Sequence, residues 1–322
     1  MPSTAVVYAA KMQEAIKKQA AELDYKVEII ENKLDQTEVD QQVQQYLATG
    51  KKAAAFLYFP PNAAASVNSA RLLSQKAPVI QFNQALSTDA EKYVAAYSGV
   101  SDPNIGTAAG EMALKALDED RAAGRKFNGP DGKPNIIEFT FPTGYAATAE
   151  RSDAFAQVVG DKFNTLVKEP AGFDAQTGFA AASQIIAQYK AKGIDYIFVH
   201  SNNPAVGVVK ALEQNGLTPG KDVKIVTGDL SGDKTPLREG KIYSSVVQSP
   251  VLEGELVVQT AAKYLATGKT EKGQTTLEAK AERREVTNEP PYLRTYMPSP
   301  GVRGNELSTI RIWGLGIDEL TF

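Results

Sequence analysis

The sequence predicts an α/β protein of two domains, each a parallel sheet with helices on both faces. Three observations predict it. Apolar runs of strand length, such as AAAFLYF at 53–59 and YIFVH at 196–200, alternate with longer runs whose apolar residues recur at helical spacing. Those short runs are continuous rather than alternating, as strands buried on both faces must be. At 322 residues with 43% hydrophobic side chains, the chain carries enough apolar material for two cores at roughly 150 residues each.

Taken in order, residues 5–23 read as a helix, 25–30 (YKVEII) as a strand and 36–49 as a helix that Gly50 ends. A strand at 53–59, a helix at 62–75 and a strand at 78–82 (PVIQF) follow. The grammar then repeats: helix 104–117, strand 135–140, helices 148–162 and 178–192, strand 196–200, helix 205–215, strands 223–227 and 242–248, and a helix at 250–267. Residues 118–133 are charged and carry Asn128-Gly129 and Asp131-Gly132, so they read as a surface hairpin or loop. From about Lys280 the pattern degrades; Pro298, Pro300, Gly301 and Gly304 suggest a linker, and 309–315 (TIRIWGL) is strand-like again.

Composition removes several functions. Lys and Arg number 35 against 38 Asp and Glu, a net −3 with no long run of either sign, which argues against nucleic acid or an anionic membrane as partner. The absence of Cys excludes disulfides, zinc-thiolate sites, iron–sulfur clusters and thiol catalysis. A single histidine, His200, makes poly-His metal sites and a Ser-His-Asp enzyme improbable. No stretch approaches the roughly 18 apolar residues of a membrane span, and Met1-Pro2-Ser3-Thr4 lacks the start of a secretory signal, so the expectation is a cytosolic chain or a mature or engineered form.

Four segments carry a resemblance. PVIQFNQ (78–84) is a strand ending in polar groups, TAERSDAFAQ (148–157) a characteristic helix start, FVHSNNPAVGVVKALEQNG (198–216) a strand and the helix it feeds, and VTGDLSGD (226–233) precedes LREGKIYSSVVQSP (237–250). In this order and spacing they resemble the type I periplasmic sugar-binding proteins of bacterial ABC uptake transporters, the ribose-binding-protein-like family whose fold also forms the core of sugar-responsive repressors. The resemblance spans about residues 5–280 and implies two Rossmann-like lobes with parallel sheets, joined by a three-strand hinge near 98–101, 248–249 and 276–277. It implies an N-type lobe of 1–98, 249–276 and 309–322, a C-type lobe of 99–248 and 277–290, and a linker or extension at 291–308.

The family begins with a strand that feeds its first helix, and here that helix starts almost at Met1. Residues 309–322 (TIRIWGLGIDELTF) read as that strand and its loop, which implies a circular permutation with the first strand at the C-terminus, the old ends being joined through 288–308. The alternative is an ordinary C-terminal extension and a truncated first strand.

Ligands of open parallel sheets bind outside the carboxyl ends of the strands. Carried over from the family, the ligand-binding set is Asn83, Gln84, Tyr145, Ser201, Asn202, Asp229, Gln248, Phe322 and Tyr8, with Phe141 and Phe59 as further stacking candidates. Buried hydroxyls need partners and sugar C–H faces suit aromatic rings. Asn83-Gln84 stand where the family often has Asp-Arg, and Ala149 stands where ribose-type members place a binding Arg, which weighs against ribose and for a neutral ligand. Arg151 matches a second, more structural Arg and reads as an ion-pair residue. Asp229 serves either the ligand or a helix cap, Asn202 either the ligand or the N-cap before Pro204, and Gln248 either the ligand or the hinge.

Enzyme motifs fail. Gly268-Lys269-Thr270 follows a helix and has Lys263 where a phosphate loop needs Gly; Gly314-Leu315-Gly316 has Glu319 where a third Gly belongs. No Gly-x-Ser-x-Gly elbow exists, and Asp229 with Asp233 is too sparse for a calcium loop. The reading is a monomeric, cofactor-free and metal-free solute receptor, periplasmic or extracellular and membrane-associated. It closes on a small neutral sugar or polyol and delivers it to an ABC permease of the inner membrane, with a chemoreceptor as a further partner. The alternative is a signalling or repressor effector module, or an engineered sensor scaffold.

Overall fold

The computed structural model describes residues 1–62, 64–85, 87–268, 285–289 and 292–321. In chain order the elements are α1 (Val7–Glu22), α2 (Gln36–Ala48), β1 (Phe56–Tyr58), α3 (Val67–Ser74), β2 (Val79–Phe82), α4 (Thr88–Glu91) and β3 (Ala96–Gly99). Next come α5 (Asp102–Ala122), β4 (Asn135–Thr140), α6 (Ala146–Val159), β5 (Asn164–Pro170), α7 (Ala175–Tyr189), β6 (Tyr196–Val199), α8 (Asn202–Gln214), β7 (Lys224–Thr227), α9 (Thr235–Arg238) and β8 (Ser244–Val246). The chain closes with α10 (Pro250–Thr267), β9 (Glu285–Glu289), β10 (Tyr292–Tyr296), β11 (Gly301–Val302), β12 (Arg311–Ile312), β13 (Leu315–Gly316) and α11 (Ile317–Leu320).

Two compact units result, Met1–Ser101 with Ser249–Pro298 and Arg311–Phe322, and Asp102–Gln248 with Ser299–Ile310. The first holds a five-stranded sheet, β1-β2-β3-β10-β9, parallel except for β9 at one edge. Its faces are covered as doubly buried strands require: Met12 and Ile16 of α1 meet Val257 and Val258 of α10 on one side, and Val39 and Val43 of α2 meet Ala70 and Leu73 of α3 on the other. The second unit holds a six-stranded sheet, β11-β8-β7-β6-β4-β5, parallel except for β11. This is the expected α/β architecture.

Local signals set the helix ends. Asp174 caps α7 by accepting from the Gln176 and Thr177 amides at 2.8 and 2.9 Å, and Ser249 caps α10 ahead of Pro250. Gly268 ends α10 at a φ of 69°. Two glycines let helices meet at backbone distance. A Cβ at Gly254 would lie 2.6 Å from the Met12 carbonyl oxygen, and one at Gly106 would lie 2.3 Å from that of Arg151.

Four expectations fail. Residues 25–30 form no strand. Residues 309–315 do not enter the first sheet as its opening strand; they form the separate hairpin of β12 and β13. Its two turn residues, Trp313 and Gly314, have φ of 50° and 81°, the double left-handed geometry of a two-residue hairpin. The structure therefore gives circular permutation no support. Residues 291–308 are not a linker: β10 joins the first sheet and β11 the second, while β9, from the stretch assigned to the other lobe, pairs with β10. Finally, α5 continues to Ala122, five residues beyond its expected end at 117 and into the charged insertion. The expected third crossing at 276–277 lies outside the described residues; the chain changes unit after Ser101, Gln248, Pro298 and Ile310.

Candidate functional site

The parallel strands of the second unit deliver a polar cluster at their carboxyl ends, where β4 leads to Phe141, β6 to His200 and Ser201, β7 to Asp229 and β8 to Gln248. Arg151, on α6 and only 3% exposed, ties these ends together. Its Nε donates to Asp102 Oδ1 at 2.6 Å, Nη1 to the His200 carbonyl oxygen at 2.7 Å, and Nη2 to Gln248 Oε1 at 2.8 Å. The Asp229 Oδ2 lies 3.6 Å from Nη1. Burial opposes the guanidinium charge, but the Asp102 and Asp229 carboxylates outweigh it and hold the pKa above its ordinary value. Close contact of α5 with α6 at Gly106 sets Asp102, one turn earlier, against the arginine.

Asp229 is itself organised by hydroxyls, accepting from Ser201 Oγ at 3.1 Å and Ser231 Oγ at 2.5 Å. Ser201 is the N-cap of α8, its hydroxyl accepting from the Asn203 amide at 3.4 Å. Asn202 is therefore not the cap. Its Nδ2 donates to the Ser231 and Asp233 carbonyl oxygens at 2.7 and 3.0 Å, and its fully buried Oδ1 has no hydrogen-bond partner among the described residues. Beside this polar set stands an aromatic one. Phe141, Tyr145 and Phe173 have ring centroids 5.1 to 5.2 Å apart, and the Arg151 guanidinium carbon lies 5.0 Å from the Phe141 ring centre.

In the first unit, the carboxyl end of β2 places Asn83 and Gln84. Asn83 takes a φ of 65°, which Asn tolerates, and its Nδ2 reaches both Glu253 carboxylate oxygens, at 2.9 and 3.2 Å. Gln84 Nε2 donates to Asn83 Oδ1 at 2.8 Å, and the Tyr8 hydroxyl donates to Glu253 Oε2 at 2.5 Å. The fully buried Glu253 comes from the first turn of α10, brought to α1 by the close approach at Gly254. Phe59 is buried core, packed edge-on to Phe82 at 5.6 Å, and is not free to stack on a ligand. Phe322 lies outside the described residues.

A periplasmic binding protein domain matches residues 1–270. The chain belongs to the periplasmic binding protein family. Among its relatives, the ribose import binding protein RbsB of Haemophilus influenzae is 26% identical over 267 residues, covering 81% of this chain and 82% of that protein. The crystal structure of a Mycobacterium smegmatis protein in complex with β-D-fucofuranose superposes with a TM-score of 0.74 at 18% identity, over 93% of this chain and 88% of that one. An ABC transporter solute-binding protein of Bacillus halodurans with bound myo-inositol gives 0.73 at 19% identity, over 93% and 91%. Both structures show the shared fold.

Ala149 is exposed and carries no polar group, and Asn83 and Gln84 are buried amides. Sequence reasoning missed Asp102, Phe173, Glu253 and Glu138. Glu138 had a legible signal: it is the one charged residue in the strand run NIIEFT, and a carboxylate there needs partners. It has them in Ser152, in Lys168 at 2.9 Å and in His200 Nε2 at 2.9 Å. His200 thus answers a buried carboxylate rather than a ligand, and burial holds its pKa below the ordinary value.

Proposed function

We propose that this periplasmic binding protein is a receptor for a small neutral sugar or polyol, serving an ABC import permease from the periplasm or the outer face of the membrane, and that it performs no catalysis. The observation that carries this reading is the edge of the second unit, where the buried Asp229 carboxylate, the unpartnered Asn202 Oδ1 and the Phe141–Tyr145–Phe173 rings come from adjacent strand ends. Acceptors beside aromatic faces suit a molecule with many hydroxyls and an apolar C–H face. Asp229, Ser201, Asn202 and Tyr145 are the ligand-facing candidates there; Asn83, Gln84 and Tyr8 are those of the first unit. Gln248 serves by holding Arg151 rather than by meeting the ligand. The nature of the relatives supports transport over a regulatory role.

The test is thermal unfolding and calorimetry against neutral pentoses, hexoses, furanoses and inositols, with sugar acids and amino acids as controls. At 100 times Kd, a ligand stabilises by about 2.7 kcal/mol, a midpoint shift of several degrees. A shift with one neutral carbohydrate is the expected result; shifts confined to the acids or amino acids overturn the reading. With that ligand, Asp229→Ala weakens binding by about 1.5–3 kcal/mol, roughly 10- to 150-fold, and unchanged affinity removes Asp229 from the site.

A further inference from the structure

Glu253 is fully buried in the first unit, yet its carboxylate lies against two of the side chains that form the ligand-facing edge there, Asn83 and Tyr8. Four elements make room for it. It stands in the first turn of α10, where a helix N-terminus favours negative charge. The end of β2 brings Asn83, α1 brings Tyr8, and β3 finishes at Gly99. That glycine has a φ of 140°, and a Cβ on it would lie 2.8 Å from Glu253 Oε1, so the strand end closes on the carboxylate as only glycine allows. A carboxylate buried this closely needs donors.

The direction of its hydrogen bonds follows from which groups can only donate. Asn83 Nδ2, a donor alone, lies 3.2 Å from Oε1 and 2.9 Å from Oε2, so both carboxylate oxygens accept. The amide is fixed this way round because Asn83 Oδ1 accepts from Gln84 Nε2 at 2.8 Å, and its main chain is fixed by the Tyr97 hydroxyl, which donates to Asn83 O at 2.9 Å. The Tyr8 hydroxyl therefore directs its single proton to Glu253 Oε2, at 2.5 Å. A hydroxyl whose proton is committed in this way has only lone pairs to offer a further partner. Tyr8 is half-buried, so one side of it stays within reach of the surface.

Resting on the sugar-receptor reading, in which Tyr8 faces the ligand, we propose that Glu253 is a positioning residue: it turns the Tyr8 hydroxyl proton inward, so that Tyr8 offers the ligand an acceptor and selects a ligand hydroxyl able to donate. A fluorine at that place on the ligand has no proton to give and is refused.

Two arms test it. Without ligand, the Tyr8 hydroxyl is followed by NMR in protein labelled at the tyrosine ring carbon that bears the oxygen, Tyr8→Phe assigning the signal. Glu253→Gln, whose amide would donate to the Tyr8 oxygen instead, is expected to speed exchange of the hydroxyl proton by about tenfold or more. With ligand, calorimetry uses whichever neutral pentose, hexose, furanose or inositol binds, together with its mono-deoxy and mono-deoxyfluoro derivatives. At one position both derivatives are expected to bind the parent about tenfold more weakly than the sugar, and to bind Tyr8→Phe as well as the sugar does. Glu253→Gln is expected to weaken binding of the sugar in the parent and to add nothing in Tyr8→Phe. A fluoro derivative that keeps its affinity wherever the deoxy derivative loses it, or an equal loss from Glu253→Gln in both backgrounds, as a merely structural role would give, overturns the proposal. Failure of every carbohydrate to bind overturns the receptor reading, and with it the selection of ligand, whereas unchanged hydroxyl exchange overturns the positioning role whatever binds.

Discussion

Arg151 shows what a single buried charge demands of its surroundings. Its pairing with Asp102, at 3% and 2% side-chain exposure, is stabilising only while both partners remain, since either alone is an uncompensated buried ion. Arg151→Met is expected to cost about 3–5 kcal/mol in denaturant unfolding, and Arg151→Met with Asp102→Asn to recover part of that loss. A single-variant cost below about 1 kcal/mol would show that the pair does not hold the strand ends together. Glu138 gives a pH signature. Burial alone would raise its pKa, but hydrogen bonding and charge from His200, with Ser152 and Lys168, lower it to about 2. The folded carboxyl thus titrates below the unfolded one, near 4.3, so its contribution is complete at neutral pH and is lost as the pH falls from about 5 toward 2. In thermal unfolding across that range, Glu138→Gln is expected to melt below the parent at pH 7, the gap closing near pH 2; a constant gap would refute this account.

Between elements, glycine sets how closely helices approach, and through that which side chains meet. Gly254 lets α10 touch the α1 backbone and presents Glu253 to Tyr8; Gly106 lets α5 touch α6 and presents Asp102 to Arg151. Alanine at either position meets a carbonyl oxygen rather than a flexible side chain, so the helices must part. Gly254→Ala and Gly106→Ala are each expected to cost about 1–3 kcal/mol, the range of overpacked cores, measured by denaturant midpoint at unchanged m-value. A neutral Gly106→Ala would mean that α5 and α6 slide without loss. These positions were silent in the sequence, because a glycine inside a helical pattern gives no sign of what lies across from it.

At the scale of the whole chain, neither unit is a continuous segment. The first unit takes α10, β9 and β10 from beyond Gln248, and the second takes β11 from beyond Pro298. Val257, Val258 and Ala261 of α10 share one core cluster with Met12 and Ile16 of α1. A fragment of residues 1–248 is therefore expected to leave the α1 amides unprotected in hydrogen exchange, however well residues 102–248 fold. Protection of α1 in that fragment would show that the first unit does not need α10.

The sequence by itself determined the α/β class, the β/α alternation from about 53 to 267 and the strand-end positions of Asn83, Ser201 and Asp229, because buried strands and their helices leave strong local periodicity. What only the tertiary structure decided was pairing. YKVEII and TIRIWGL both read as strands, yet the first finds no strand partner among the described residues and the second turns back on itself at Trp313-Gly314, while the polar run YLRTY becomes an interior strand of the first sheet. Tertiary structure likewise set Arg151 against Asp102, His200 against Glu138 and Asn83 against Glu253, 170 residues apart in the chain. Strand propensity and a polar side chain are local properties; the hydrogen-bond edge and the counter-charge that complete them come from distant residues, and only the folded chain brings them together.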